Sequence, residues 1–285
     1  MHVDTYIAHR VERCELAPSS VVNVRATLLQ WHRHAGEPGA WTLPLATSWC
    51  HDRVIRPNTR KMRRARLRPY TAWLCRTGVL ADDVAYDVPR VKVPARPPRN
   101  LDRAAVASLL DACPDDRATL IVMLMVQCGL RCVDLSRVLI EDIDVTRRRL
   151  DVRAKGGNGD VTHTVHIPAE AWALLVPYVR GLGRSSGPLI ANSRRLQPHP
   201  VSANRLSVLV RRWIADAGLK AFPYDGTSPH ALRHTCAQDM LDSGAQLEQV
   251  RAVLGHRTVS TTEEYYLRRE PRGLAESMEG RRYAA

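Results

Sequence analysis

Residues 228–266 read SPHALRHTCAQDMLDSGAQLEQVRAVLGHRTVSTTEEYY, and this stretch decides the interpretation of the chain. Ser228 and Pro229 predict a helix start, because serine is a common N-cap and proline suits the first helical turn. On that helix His230 and Arg233 are three residues apart, so they share one face. The sequence therefore predicts a helix that presents an imidazole and a guanidinium together.

A second histidine and a pair of tyrosines complete the stretch. His256 follows Leu-Gly, and Tyr265 and Tyr266 come nine and ten residues later. Neighbouring residues point about 100° apart on a helix, so only one of the two tyrosines can face a given group. Two histidines, an arginine and a tyrosine at this spacing suit the transfer of a phosphodiester to a protein hydroxyl, without a metal ion or a nucleotide.

Together with two earlier motifs, the stretch resembles the tyrosine recombinases, also called phage integrases. The earlier motifs are CGLRCVDL, residues 128–135, and RAKGGNGD, residues 153–160. With HALRH, VLGH and the tyrosine nine residues on, they supply the six residues of the family signature in order: Arg131, Lys155, His230, Arg233, His256 and Tyr265. The resemblance extends over at least residues 101–267, and more loosely over the N-terminal third.

The resemblance implies DNA strand exchange through a 3′-phosphotyrosine. Tyr265 would be the nucleophile, and Tyr266 a packing residue. The two signature arginines would bind the phosphate oxygens, and His256 would donate a further hydrogen bond. His230 would be the base, and Lys155 the acid that protonates the leaving 5′-oxygen.

The resemblance also implies the partners. They are double-stranded DNA core attachment sites and a homotetramer on two such sites that passes through a Holliday junction. An accessory directionality factor is a further candidate partner. It implies no cofactor and no metal. His230 and His234 have a spacing that could bind zinc, but Ala231 stands where the zinc-protease pattern has glutamate. Asp134, three residues after Arg131, is placed to hold that guanidinium.

The composition favours a polyanionic partner. The 285 residues have a formal net charge of +13. Residues 1–100 contain 17 basic and 8 acidic side chains, and residues 101–285 contain 25 and 21. Nearly all the basic residues are arginine, which binds phosphate in a bidentate way, although arginine-rich usage also follows GC-rich coding. The seven cysteines form no regular framework, which favours reduced thiols.

Patterns along the chain predict two domains. Residues 88–98, VPRVKVPARPP, contain four prolines and predict an extended linker. We expect a helical core-type DNA-binding domain over 1–90, the linker over 91–100 and a catalytic domain over 101–285. The fold class is mainly α with a small β-hairpin, predicted at 150–153 and 161–167 around a glycine-rich turn. In the family these two domains close around DNA as a C-shaped clamp.

A run of six cations lies on a predicted helix of the first domain: Arg60, Lys61, Arg63, Arg64, Arg66 and Arg68. Such a run often forms only a solvated face. With the net charge and the family resemblance, we expect it to bind DNA phosphates or the major groove.

The biological role stays open between several alternatives. We expect the first domain to be too short to include an arm-binding domain, and the arginine usage favours an integrase from a phage of an actinobacterial host. The alternatives are an Xer-like recombinase that resolves chromosomes or plasmids, a non-catalytic DNA-binding regulator, and a type IB topoisomerase. We expect a cytoplasmic location in a bacterial cell, because we find no signal peptide and the longest apolar run, 120–126, is too short to span a bilayer.

Overall fold

The chain forms two compact units, residues 1–96 and 97–285. The computed structural model describes residues 2–94, 99–153, 160–192, 198–222 and 225–255. Helices dominate both units, and the strands are few and short, which confirms the prediction of a mainly α fold with a small β component.

In the described residues, the first unit contains four α-helices and one 3-10 turn at Pro38–Ala40. The helices are α1 (His2–Glu12), α2 (Pro18–Ala35), α3 (Leu43–His51) and α4 (Pro57–Arg76). Proline occupies the first turn of α2, α3 and α4, where its missing N–H is not needed. The sequence patterns predict helices at about 19–34, 42–52 and 58–77, within one residue of the bounds of these three helices, but they do not predict α1.

Aromatic side chains fill the core of the first unit. Trp31 is fully buried, and its ring centroid lies 5.2 Å from that of Trp41 and 5.2 Å from that of Trp49. Tyr70 is also fully buried, and its hydroxyl is 2.7 Å from Nε2 of His32. This hydrogen bond satisfies the polar end of the tyrosine, so the ring can be buried without an unpaired hydroxyl.

The second unit contains α-helices, a three-stranded sheet and a two-stranded sheet. Its helices are α5 (Arg103–Asp111), α6 (Asp116–Gln127), α7 (Cys132–Leu135), α8 (Ala169–Gly181), α9 (Ala203–Asp216), α10 (Pro229–Asp242) and α11 (Leu247–Leu254). Its strands are β1 (Ile143–Asp144), β2 (Arg149–Val152), β3 (His163–His166), β4 (Ala191–Asn192) and β5 (His199–Pro200), and a 3-10 turn at Ile140–Asp142 precedes β1.

Both sheets are antiparallel. In the larger one the order is β1-β2-β3, with Leu150 of β2 opposite Val165 of β3. This is the hairpin that the β-branched runs predict. From residue 169 onward the sequence pattern predicts mostly helix, and the pair β4–β5 interrupts this region. Helix α6 is buried on nearly every side at the centre of the unit. Among the described helices, none is both long enough and apolar enough to cross a bilayer.

The start of α10 differs from the prediction in one respect. Ser228 occupies the N-cap position, but its side chain makes no capping hydrogen bond with the described residues. Instead Asp225 organises the preceding turn. Its Oδ1 accepts from the Thr227 backbone N–H at 2.8 Å, and its Oδ2 accepts from the Thr227 hydroxyl and the Ala221 N–H, both at 3.0 Å. A carboxylate has room for several donors, so it satisfies a buried turn better than one hydroxyl does.

Candidate active site

Arg131 lies at the turn between α6 and α7. Its backbone N–H donates to Oδ2 of Asp134 at 2.9 Å, and its Nη1 lies 3.7 Å from the same oxygen. The Asp134 side chain is only 1% exposed, whereas that of Arg131 is 28% exposed. The buried carboxylate of Asp134 therefore holds both the backbone and the guanidinium of Arg131, as the spacing of the two residues predicts. Part of the guanidinium remains exposed to solvent.

Arg233 lies on α10 and is buried. Its Nη1 donates to the carbonyl of Gly129 at 2.5 Å, and its Nη2 donates to the carbonyl of Leu254. Arg131 donates through Nη1 to the same Leu254 carbonyl at 3.5 Å. Leu254 is the last residue of α11, where unpaired carbonyls give the helix end a partial negative charge that favours nearby cations. Two guanidiniums from distant parts of the sequence thus converge on one helix terminus.

Two glycines allow this close approach. Gly129 has φ +65°, and a β-carbon added there would lie 2.6 Å from Cδ2 of the fully buried Leu254 and 3.3 Å from Sγ of Cys236. Gly255 ends α11 with φ +60°, a left-handed conformation that glycine adopts at low cost. The glycines of the CGLR and VLGH motifs therefore serve the packing of α6 and α11, not only the turning of the chain.

His230 is on the first turn of α10, one turn before Arg233. Its side chain keeps contact with solvent. Partial burial, followed by the positive charges of Arg131 and Arg233, lowers the pKa of this imidazole below 6.5, and the carboxylate of Asp134 opposes the shift. His230 is therefore neutral at pH 7 and able to accept a proton.

His163 of β3 is a member of the site that the sequence analysis does not identify. Burial, and then the charges of Arg233 and Arg131, lower the pKa of its ring, whereas the Asp134 carboxylate opposes the shift. The alternation of side chains along β3 is the sequence feature that could have indicated this residue, because His163 and the buried Val165 lie on the same face of the strand. Alternation gives the inward direction of the side chain, but it does not name the residues that it meets.

The remaining signature residues lie outside the described part of the chain. They are Lys155, His256 and Tyr265, together with Tyr266. In the sequence Lys155 lies between β2 and β3, and His256 directly follows Gly255. The structure therefore brings together Arg131, His230 and Arg233, and it describes the strands before and after Lys155 and the glycine before His256. Within the described ranges, no group of three or more histidine, cysteine, aspartate or glutamate side chains could hold a metal ion.

The six cations of α4 do not form one uniform face. Arg63 donates to the carbonyl of Trp49 at 2.8 Å, and its guanidinium lies 4.4 Å from the centroid of that aromatic ring. Arg68 lies 5.6 Å from the ring centroid of Tyr86. Lys61, in contrast, is exposed. Some of these cations therefore contact groups of the first unit, whereas Lys61 extends into solvent.

Two further arginines of α4 bind backbone carbonyls of their own unit. Arg64 donates through Nε to Val88 at 2.7 Å. Arg66 donates through Nη1 to the carbonyl of Asn23 at 2.8 Å and to the hydroxyl of Thr27. Burial lowers the pKa of both guanidiniums. These arginines hold the end of the unit and α2 against α4, a structural role that a run of basic letters does not reveal.

Comparison with known proteins finds relatives over most of the chain. The family model described as "Phage integrase family" matches residues 99–272 of this chain. The tyrosine recombinase XerA of Pyrococcus furiosus is 32% identical over 190 residues, which are 66% of this chain and 63% of the relative. The chain thus matches somewhat less than two thirds of that relative. The tyrosine recombinase XerC of Mycobacterium sp. (strain KMS) is 30% identical over 248 residues, 80% of this chain and 78% of the relative.

The fold of this chain is similar to that of a solved structure. A lambda integrase (75–356) dimer bound to a COC′ core site superposes with a TM-score of 0.74. The match covers 91% of this chain and 95% of that one, at 19% sequence identity. At that identity the likeness concerns the fold.

The packing of Gly129 against α11 leads to a testable prediction. Gly129→Ala should destabilise the second unit by about 2–5 kcal/mol, because it combines a left-handed backbone with overpacking against Leu254. Gly244→Ala is the matched control, since Gly244 has φ +88° but no described atom within 4 Å of an added β-carbon. It should lose only about 1–2 kcal/mol. Denaturant unfolding measures both, and equal losses would contradict the packing explanation.

Proposed function

This chain belongs to the phage integrase family of tyrosine recombinases, and on that premise we propose that it is a site-specific DNA recombinase. It would cleave and rejoin DNA through a 3′-phosphotyrosine intermediate and a Holliday junction. The observation that supports this most is the convergence of Arg131 and Arg233 on the C-terminal carbonyl of α11, with the neutral His230 beside them.

In the proposed reaction the hydroxyl oxygen of Tyr265 attacks the scissile phosphorus. The new bond joins tyrosine to the 3′-phosphate, and the bond to the 5′-oxygen breaks. His230 accepts the proton of the tyrosine, and Lys155 gives one to the leaving oxygen. A 5′-hydroxyl of the partner duplex then reverses the step, so the bond energy is conserved and no nucleotide is consumed.

The two arginines supply the electrostatic part of catalysis. We place Arg131 and Arg233 on the non-bridging oxygens, where negative charge grows in the transition state, and His256 beside them as a further donor. Donors that are held in place before the reaction need no reorganisation while it proceeds. The burial of Arg233 and the contact of Arg131 with Asp134 support such preorganisation. The ordinary pKa of tyrosine is about 10, so attack at neutral pH also benefits from this cationic surrounding.

The proposed partner is double-stranded DNA carrying core sites, bound by a homotetramer. The basic excess of residues 1–100 supports DNA binding by the first unit. A solved lambda integrase tetramer is bound to a Holliday junction, and its fold matches this chain with a TM-score of 0.73 at 19% identity. We place the protein in the cytoplasm of a bacterial host, with a directionality factor as a possible accessory partner.

For the biological role we propose integration and excision of a phage genome, because the basic residues of the chain are almost all arginine. The second candidate is resolution of chromosomes or plasmids, which the Xer names of the curated relatives favour. A phage attachment site next to the gene supports integration. A recombination site at a chromosome terminus or in a plasmid-multimer locus supports resolution.

Covalent trapping tests the reaction itself. A nicked suicide substrate with the core site should give a covalent protein–DNA adduct on a denaturing gel. Tyr265→Phe should abolish the adduct because it removes the attacking oxygen, and the matched control Tyr266→Phe should retain it. Loss in Tyr266→Phe alone would move the nucleophile by one residue. Absence of any adduct from the wild-type protein, with DNA binding intact, would favour a non-catalytic regulator.

The pH dependence of adduct formation tests the role of His230. The proposed base is active when unprotonated, and its pKa lies below 6.5, so it loses activity only as the pH falls through that lowered pKa. We therefore expect the rate to change little between pH 8 and about 6.5, where His230 stays unprotonated, and to fall at lower pH. His230→Gln should be slower and should lack this acidic limb. A midpoint above pH 7 that disappears in the variant would contradict the assignment.

Salt titration separates the cations of α4 that bind DNA from those that hold the fold. Lys61→Ala should lower the slope of log affinity against log salt by about one unit, because one phosphate contact is lost. Its melting temperature should match that of the wild type, since Lys61 is exposed. Arg63→Ala, in contrast to Lys61→Ala, should lower the melting temperature, because it removes the contacts with Trp49. An unchanged slope in Lys61→Ala would remove this residue from the DNA-binding surface.

A further inference from the structure

The ring of His163 lies directly against Gly255. A β-carbon placed on Gly255 would stand 2.5 Å from Cε1 of His163, 2.7 Å from Nδ1 and 2.9 Å from Nε2. Real β-carbons do not approach other atoms this closely, so the flat imidazole occupies the space that a side chain at position 255 would need. The backbone of Val253, two residues earlier, also hydrogen-bonds with this ring. The end of α11 therefore rests on His163.

The orientation of the ring is fixed from the strand side. Nδ1 of His163 lies 3.0 Å from the hydroxyl of Thr162, and that hydroxyl donates to the carbonyl of Val152 at 2.9 Å. The Thr162 backbone N–H donates to the same carbonyl at 2.8 Å. The base of the β2–β3 hairpin thus holds the imidazole.

The charges around His163 favour a neutral ring. Arg131 at the start of α7 and Arg233 on α10 act against protonation, and burial of the ring acts in the same direction. Asp134 on α7 and the Val253 backbone act in favour of it, and they are outweighed. A lysine or arginine at this position would add a third permanent cation to the two guanidiniums. A neutral imidazole fills the same space without adding that charge.

We infer that His163 is a positioning residue that joins the β2–β3 hairpin to the turn at Gly255, the residue directly before His256. The inference rests on the proposed function, in which Lys155 and His256 act on the same phosphate. In the sequence, Lys155 lies between β2 and β3, and His256 directly follows Gly255. His163 is the described side chain that contacts both the base of that hairpin and that glycine.

The contact predicts a loss of rate without a loss of DNA binding. His163→Ala should lower the single-turnover rate of adduct formation by about 10- to 100-fold, as expected when a reacting group is displaced by about 1 Å. The dissociation constant for core-site DNA should stay within about twofold, which separates positioning from general damage. His166→Ala, on the exposed face of the same strand, is the matched control and should keep the wild-type rate. His163→Gln, which is less disruptive, should fall between the two.

A double-mutant cycle makes the test specific to the contact. Gly255→Ala in the wild-type background meets both the left-handed backbone and the His163 ring, whereas in His163→Ala it meets only the backbone. The second mutation should therefore cost at least about fivefold less rate in the His163→Ala background. Additive effects, or a His163→Ala rate equal to that of His166→Ala, would overturn the inference.

A readout without catalysis keeps this inference separate from the proposed function. The NMR amide resonance of Gly255 should shift in His163→Ala and stay in place in His166→Ala, because only the first variant removes the ring that lies over it. An unmoved Gly255 resonance overturns the contact whether or not the protein cleaves DNA. A shifted resonance in a protein that forms no adduct supports the contact and counts against the recombinase proposal instead.

Discussion

The carbonyl oxygen of Leu254 is the acceptor on which the second unit depends. Arg131 reaches it from the α6–α7 turn, and Arg233 reaches it from the middle of α10. One backbone oxygen at the negative end of a helix thus offsets part of the charge of two guanidiniums that would otherwise repel each other. The close approach requires glycine at positions 129 and 255, because a side chain at either place would occupy space already filled. Charge, backbone conformation and packing are satisfied at this point by the same few residues.

Much of the site could be predicted from the sequence because its residues belong to local motifs. The pair His230 and Arg233 lies on one helix, and Arg131 with Asp134 lies in one turn, so their relation follows from spacing alone. The hairpin is equally accessible, since two β-branched runs flank a glycine-rich turn. His163 could not be assigned in this way, because its partners are Gly255 and two arginines that are distant along the chain. Strand alternation gives the direction of a side chain but not the element on the other side.

The same limit explains the differences at the helix starts and in α4. Ser228 and Pro229 are strong local signals for a cap, yet Asp225 holds the turn through bonds that depend on the folded loop. In α4 the sequence pattern predicts that Arg63, Arg64 and Arg66 face solvent, although each of them binds a backbone carbonyl of the first unit. An arginine offers several donors and a flat hydrophobic face, so it can close a small helical unit and still leave charge at the surface.

The aromatic core of the first unit has a spectroscopic consequence. Four of the six tryptophans, Trp31, Trp41, Trp49 and Trp73, pack in that core, and the second unit has only Trp172 and Trp213. Intrinsic fluorescence will therefore report mainly on the first unit, while the helical circular dichroism signal comes from both units. Denaturation curves followed by the two signals will coincide only if the units unfold together. The chain thus contains its own probe for whether one unit melts before the other.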